Sequence, residues 1–381
     1  MDRAAETGTR RRQFLKYVAS AAAGVALGAG AGLVQLSSLS SCEVSTETMT
    51  LTETVARTLR ETLVYPSSLR AAAEPRGLLV GSEVEDAAPG DKRFEQTLAK
   101  EFNFLTVPMS WGSIDQGGYG TADTLVRFAS NREMKVKGHV LISHRNLPEW
   151  VTPQISPEVL RQQTQKHIRE NVSRYRGKVY AWDVVNEAVE TDGLRKSILF
   201  EKLGEEYIAD AFRVAHDADP NALLFYNDYD AEAMGGSWKA KSDLVYALVR
   251  KLLADGVPIH GVGLQMHLFA VEYPKPEDIA ANVRRLAALG LKVTISEMDV
   301  RIKELPMDMP ARLEMQRRIY HDVIAACMKE EGFIGVTFWG FTDAHSWINE
   351  AGQGPDYPLL FDENYQPKPA YWGVMDALLG V

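Results

Sequence analysis

Short apolar runs alternate with longer segments of helical periodicity from about residue 66 to the end of the chain. That rhythm is typical of a parallel sheet whose strands are joined by crossover helices. The predicted helix 156–177 opens on Ser156, and the predicted helix 276–290 has Pro276 at its start and Gly290 at its stop. The eight predicted strands are 77–82, 103–108, 136–142, 179–186, 222–228, 261–267, 292–299 and 335–340.

Eight strand–helix units over residues 66–381 predict an α/β fold, a (β/α)8 TIM barrel with a single catalytic domain. In such barrels the chemistry lies at the carboxyl ends of the strands. Polar or ionisable residues stand where the apolar runs stop: His139, Asn186-Glu187, Asn227-Asp228, Gln265 and His267, Glu297 and Asp299, and Trp339. A purely structural barrel needs no such pattern, so these ends are the candidate site.

Two glutamates stand out among these residues. Glu187 ends the fourth predicted strand and Glu297 ends the seventh, so they face each other across the barrel mouth. A single glutamate there is as readily a structural ion-pair partner, but a pair predicts glycoside cleavage with retention, which needs carboxyls about 5–5.5 Å apart. We expect Glu187 to be kept protonated as acid/base and Glu297 to stay ionised as nucleophile, with Asn186 on the sugar 2-hydroxyl.

The period of two along a strand adds supporting residues. It places Glu297 and Asp299 on one face of a strand, and Gln265 and His267 on one face of the strand before. His267 is therefore predicted to bridge Glu297 and Asp299 and to stabilise the nucleophile's charge.

The net charge and the cysteine and histidine content limit the classes of molecule that the protein is expected to bind. The chain carries −9, and residues 1–41 carry five Lys or Arg and two acids, so about −12 falls on the remainder. An acidic body without a basic stripe argues against nucleic acid and suits a neutral polysaccharide. Neither Cys42 nor Cys327 has metal-ligand spacing, and His139 and His144 lack such a partner, so no metal or cofactor is expected. Cys327 is predicted to be a buried small hydrophobe.

The N-terminal residues resemble an export signal. Arg11-Arg12 and Phe14-Leu15-Lys16 resemble a twin-arginine signal within residues 1–41, and the following Ala/Gly stretch ends at a lipoprotein-like processing site before Cys42. We expect lipidation of Cys42, attachment to a membrane surface, and an exported, extracellular or cell-surface location. An uncleaved helix is the alternative. Residues 42–65 are predicted to be a tether.

Four sequence blocks resemble glycoside hydrolase family 10, whose typical activity is endo-β-1,4-xylanase. They are Ala72–Leu78, WDVVNEAV at 182–189, the pair 256–268 and 293–300, and the pair 338–347 and 358–371. The resemblance implies a xylan-like polysaccharide or oligosaccharide substrate. It also implies that Trp339 and Trp347 form an aromatic wall near the cleavage point, that Tyr229 reaches the leaving-group side, and that His139 binds the sugar at the cleavage point. Trp150 and Trp372 are expected to pack in the core.

The departures from the family pattern are confined to the motifs of the second and third strands. The family's second strand usually ends in Glu-Asn followed by Met-Lys-Trp, whereas residues 106–111 read TVPMSW, and the usual Trp of the third-strand motif is Ser143. All these losses lie on the glycone side, so we expect the chemistry to survive while the substrate preference changes. The segment 112–120 is a candidate for rebuilding that side.

Three functions stay open at this point. The first is a retaining endo-1,4-β-xylanase. The second is a retaining β-glycosidase of the same mechanism that acts on another β-glycan or a plant glycoside. The third belongs to a different class, a non-catalytic surface sugar-binding lipoprotein, which would not need paired glutamates at strand ends.

Overall fold

Eight parallel strands pair side by side in chain order, and the last strand pairs with the first. In this computed structural model, which describes residues 65–84, 91–350 and 355–381, Val336 pairs with both Val80 and Ile295, so the sheet closes into a barrel. The strands are β1 (Leu79–Glu83), β2 (Phe104–Pro108), β3 (Lys135–Ser143), β4 (Ala181–Asn186), β5 (Leu223–Asp228), β6 (Gly261–Leu264), β7 (Lys292–Arg301) and β8 (Phe333–Phe338).

Helices occupy the intervals between the strands and cover the outside of the barrel. Ser156 caps its helix by accepting a hydrogen bond from the Val159 N–H, as the sequence predicted. The helices are α1 (Leu69–Ala73), α2 (Lys92–Glu101), α3 (Trp111–Gly117), α4 (Gly120–Ser130), α5 (Pro157–Arg174), α6 (Ile198–Leu203), α7 (Glu206–Ala218), α8 (Lys239–Ala254), α9 (Pro276–Ala287), α10 (Met309–Cys327), α11 (Trp347–Glu350) and α12 (Pro369–Leu379), with short 3-10 turns at Glu74–Arg76, Gly236–Trp238 and Asp343–His345.

The predicted barrel is confirmed, and most strand boundaries agree to within a residue or two. The largest difference is at β6, which stops at Leu264. Met266 has a left-handed backbone (φ 68°), which breaks the ladder, and a separate short strand, His267–Phe269, then pairs with the end of β7. A two-stranded hairpin, Val189–Glu190 with Gly193–Leu194, was not predicted.

The predictions for individual apolar side chains had mixed outcomes. Cys327 is fully buried, as expected. The expectation of core packing was wrong for Trp150 and Trp372, whose exposed fractions are 40% and 41%. Trp111 takes the buried position instead and meets Trp150 edge to face, so one side of the Trp150 ring remains in solvent.

Residues 66–381 form one compact unit. The predicted export signal, the lipidation site Cys42 and nearly all of the predicted tether lie outside the described residues. In the part of the chain that the structure describes, no helix combines the length and the apolar character that a membrane span requires.

Candidate active site

A cavity of about 450 Å³ opens at the carboxyl ends of the barrel strands. Nine of the ten predicted site residues in the described part of the chain line it: His139, Asn186, Glu187, Tyr229, Gln265, His267, Glu297, Trp339 and Trp347. The tenth, Asp299, is fully buried behind His267. The residues that strand-end reasoning selected are thus brought together in one cleft.

Glu297 is held through both of its carboxylate oxygens. Its Oε1 accepts a hydrogen bond from Asn227 Nδ2 at 2.6 Å, and its Oε2 lies 3.2 Å from His267 Nε2. Asn227 is itself fixed, because its Oδ1 accepts from Ser296 Oγ at 2.6 Å. A Cβ on Gly263 would lie 2.1 Å from that same Oδ1, so only glycine leaves room for this arrangement. The carboxylate of Glu297 is therefore oriented before any substrate arrives.

His267 bridges two acids, and the contact predicted from strand alternation is present. Its Nδ1 lies 2.7 Å from Asp299 Oδ2, which also accepts a hydrogen bond from Trp347 Nε1 at 2.9 Å. Burial lowers the pKa of His267, but the negative charges and hydrogen bonds of Asp299 and Glu297 outweigh burial and raise it to about 10. At neutral pH His267 is a cation that donates a proton from each ring nitrogen.

Glu187 follows β4 with a left-handed backbone (φ 56°), which turns its side chain into the cleft. Its Oε1 accepts hydrogen bonds from Gln265 Nε2 at 3.1 Å and from Asn186 Nδ2 at 3.2 Å. Its Oε2 lies 3.7 Å from His144 Nδ1.

The surroundings of Glu187 correct one expectation. Burial raises its pKa, but the Gln265 hydrogen bond and the charges of His144, Arg145 and Arg195 act in the opposite direction, and the net pKa lies below the ordinary value. The free site therefore favours the charged carboxylate, whereas the sequence led us to expect a protonated one. Sequence could not show this, because the two arginines reach the site from loops.

One amide oxygen links the two glutamates. Asn186 Oδ1 accepts from Asn227 Nδ2 at 2.9 Å and from Gln265 Nε2 at 3.3 Å, the two amides that also bind Glu297 and Glu187 respectively. The five side chains thus form a continuous hydrogen-bonded chain across the cleft, so a shift of either carboxylate would disturb the other.

Two residues that contact the paired glutamates were given no individual role from the sequence. Asn227 was recognised only as a strand-end residue. The signal for a role in the site was its position at the carboxyl end of β5, directly before Asp228. Arg195 gave no signal, because it follows the unpredicted hairpin. Its Nε donates to the Glu187 carbonyl at 2.7 Å, another guanidinium nitrogen donates to Tyr229 Oη at 2.9 Å, and it forms an ion pair with Glu190.

Aromatic rings form the β8 side of the cleft. The Trp339 ring meets His139 edge to face with centroids 5.1 Å apart, and the Trp347 ring lies 5.3 Å from that of His267. His139 Nδ1 lies 2.9 Å from Asp183 Oδ2; burial lowers its pKa, but Asp183 and Glu297 raise it to a net increase. Indole faces beside a carboxylate pair suit the apolar faces of sugar rings.

The part of the cleft that is formed by β2, β3 and the loops after them has a different character. Thr106, Pro108, Ser110, Ser113 and Ser143 line the cavity there. Hydroxyl groups therefore occupy the region where the sequence lacks the Lys and Trp of the family pattern. Within the described residues no group of three or more His, Cys, Asp or Glu is arranged to hold a metal ion.

Comparisons with known proteins agree with this geometry. Residues 68–377 match the model of glycosyl hydrolase family 10. A β-1,4-xylanase of Dictyoglomus thermophilum is 40% identical over 304 residues, which cover 74% of this chain and 84% of that protein. Endo-1,4-β-xylanase B of Thermotoga neapolitana is 36% identical, over 81% of this chain and 91% of its own. The crystal structure of xylanase 10B from Thermotoga petrophila in complex with xylobiose superimposes with a TM-score of 0.78 at 36% identity, over 83% of this chain and 98% of that one.

Proposed function

The chain belongs to glycosyl hydrolase family 10, and we propose that it is a retaining endo-1,4-β-xylanase that hydrolyses internal β-1,4 links of xylan. The observation that carries this proposal is the cleft in which Glu187 and Glu297 are joined through one chain of amides. We infer the substrate, xylan, from the relatives, which are named as xylanases. We infer the reaction, hydrolysis with retention, from the paired carboxylates.

In the first step Glu297 attacks the anomeric carbon while Glu187 gives its proton to the glycosidic oxygen. The carbon–oxygen bond to the leaving sugar breaks, and a glycosyl ester forms on Glu297 with inverted configuration. The attack requires a charged Glu297. The His267 cation at 3.2 Å and the Asn227 amide at 2.6 Å favour that charge and orient it.

In the second step Glu187 acts as a base. It takes a proton from water, the water oxygen attacks the anomeric carbon, the ester bond to Glu297 breaks, and the second inversion gives net retention. The lowered pKa of Glu187 in the free site suits this step. For the first step Glu187 must be protonated, and sugar rings that displace water from the cleft promote this by desolvating the carboxylate.

Trp339 and Trp347 are the proposed stacking surfaces, with His139 on the sugar at the cleavage point and Asn186 on its 2-hydroxyl. Tyr229 is the proposed contact on the leaving-group side. Its hydroxyl accepts from Arg195, which also holds the Glu187 carbonyl, so this contact is tied to the acid/base residue.

The proposal includes export and a surface anchor, which rest on sequence alone. The twin-arginine pattern at Arg11-Arg12 would direct export, Cys42 would carry the lipid, and residues 42–65 would tether the barrel. Cys42→Ser should move the enzyme from the membrane fraction to the soluble fraction of an expressing bacterium. Retention of the variant in the membrane fraction would point to an uncleaved helix instead.

Hydrolysis of a glycan panel tests the activity. We expect new reducing ends from linear β-1,4-xylan, with oligosaccharides of several lengths appearing early, because internal cleavage is random along the chain. Glu297→Ala should abolish the reaction, whereas Trp372→Ala, on the outer helix α12, should retain it. Binding of xylan without hydrolysis by the wild type would favour a sugar-binding protein and contradict the proposal.

A further inference from the structure

Three basic side chains line the cleft, and two of them have acidic partners in the protein. His139 pairs with Asp183, and His267 pairs with Asp299 and Glu297. The third is Arg145, whose side chain is exposed and whose Nε donates to His144 Nε2 at 3.2 Å. Among the described residues no acidic oxygen lies within 4.0 Å of its guanidinium. Arg145 is therefore a cation at the cleft that forms no ion pair with a described residue, although its charge lies near enough to Glu187 to lower the pKa of that carboxyl.

The backbone that carries Arg145 is fixed on both sides. Its own N–H donates to Ser143 Oγ at 3.2 Å. On the other side the Gly112 N–H donates to the Asn146 carbonyl at 2.6 Å, and a Cβ at position 112 would lie 2.7 Å from that carbonyl oxygen. The segment 112–120, whose role the sequence left open, thus begins in helix α3, which fixes this loop.

A second contact with helix α3 holds the same loop slightly further along the chain. Trp150 Nε1 donates to Asp115 Oδ2 at 3.1 Å, and the Trp150 ring packs edge to face on Trp111 at 5.5 Å. Both partners belong to helix α3. A guanidinium on a fixed loop loses less conformational freedom on binding than one on a free loop, so Arg145 is preorganised for a ligand.

The surroundings of Arg145 favour a polar ligand. Ser143 precedes it by two residues, and Ser110 and Ser113, whose hydroxyls are hydrogen-bonded at 2.7 Å, line the same cavity. Hydroxyls bind sugar hydroxyls but offer no flat apolar face. The terminal N–H groups of Arg145 remain available beside the Nε that donates to His144, and a guanidinium fork matches the planar geometry of a carboxylate.

We propose that Arg145 binds the carboxylate of an acidic branch on the polysaccharide, a uronic acid attached to the β-1,4-xylan chain on the β2–β3 side of the cleft. This inference rests on the proposed xylanase function and adds a substrate class to it. Arg145 acts as a specificity determinant, because an unbranched neutral chain brings no anion to it. The serine hydroxyls receive the sugar hydroxyls of the same branch.

Three substrates separate this role from others: linear xylan, xylan with uronic acid branches, and the same branched polymer after chemical reduction of its carboxyl groups to alcohols. Arg145→Ala should lower the ratio of kcat/KM on the acidic polymer to kcat/KM on linear xylan about tenfold, equivalent to about 1.4 kcal/mol. The loss of the Arg145 charge near Glu187 acts on all three substrates alike, so linear xylan and the reduced polymer should change by the same factor as each other. The preference of the wild type for the acidic polymer should weaken as salt rises from 20 mM to 500 mM, by about the same factor.

Arg318→Ala is the matched control, because Arg318 is an exposed arginine on the outer helix α10 whose partner is Glu314. It should leave all three substrates unchanged. An equal loss for Arg145→Ala on all three substrates, with a shifted pH profile, would overturn the proposal and make Arg145 a positioning residue for His144 and Glu187. No loss on any substrate would also overturn it. A wild type inert on linear xylan would instead refute the proposed function itself, and with it this inference.

Discussion

Replacing His267 with Gln removes a buried positive charge from between two carboxylates. The side chain of His267 is only 18% exposed, and its pKa of about 10 lies far above its ordinary 6.5. At about 1.36 kcal/mol per pH unit, that difference corresponds to about 5 kcal/mol of preference for the protonated form in the folded protein. Breaking a buried ion pair from one side typically costs about 3–5 kcal/mol, which agrees. We therefore expect His267→Gln to lower the free energy of unfolding by about 3–5 kcal/mol at pH 6.

The pH dependence gives the sharper test. Because the folded pKa of His267 is raised, its contribution is fully present below pH 6.5 and is lost as the pH rises through about 10. Linkage predicts that about 3 kcal/mol of the difference between wild type and variant disappears between pH 6 and pH 9. Urea unfolding followed by tryptophan fluorescence at the two pH values measures this difference.

His167→Gln is the matched control. Burial lowers the pKa of His167 to about 4, although its hydrogen bond to the Leu141 carbonyl acts in the opposite direction. Its contribution is therefore present above pH 6.5 and is lost as the pH falls through about 4. In the same assay, with a third measurement at pH 7, the control should destabilise the barrel equally at pH 7 and pH 9, whereas His267→Gln should not. A His267→Gln variant that is destabilised by less than 1 kcal/mol, or equally at pH 6 and pH 9, would refute the assignment of a buried cation.

Three further substitutions probe the cleft. Glu187→Gln should reduce kcat most on substrates with poor leaving groups and spare activated aryl glycosides, and an equal loss on both would argue against its role as the acid. Asn227→Ala removes a 2.6 Å hydrogen bond to a charged oxygen, worth about 1.5–3 kcal/mol, so kcat/KM on xylan should fall about 10–150-fold; a loss below threefold would contradict its orienting role. Ser143→Trp should lower KM for longer xylo-oligosaccharides without altering the anomer released, and an unchanged KM would show that the site gains no stacking surface.

Hydrophobic pattern was enough to predict the barrel, because each strand is an apolar run bounded by turn residues and buried on both faces. The same pattern placed Glu187 and Glu297 in one cleft, since polar groups at strand ends of a closed parallel barrel must converge. Alternation along β7 then put Asp299 behind Glu297 with His267 between them. These are consequences of short-range geometry, which a single sequence carries.

The features that sequence did not predict depend on loops and on long-range charge. The two-residue strands beside Arg195 are too short to show periodicity. The contact between Arg195 and the Glu187 carbonyl therefore could not be predicted from the sequence. The pKa of Glu187 depends on groups from two different loops, His144 and Arg145 in one and Arg195 in the other, and on Gln265 at a strand end. Trp150 was assigned to the core from its residue type, but Trp111 competes for the same space and holds the buried position.

The stereochemistry of hydrolysis tests the central claim most directly. Proton NMR of xylo-oligosaccharide cleavage, recorded within the first minutes, identifies the anomer released before mutarotation mixes the two forms. Glu297 attacks first, and water activated by Glu187 attacks second. This sequence predicts that the β-anomer appears first and that the α-anomer forms later by mutarotation. Initial release of the α-anomer would mean a single displacement by water, which would contradict the role of Glu297 as nucleophile.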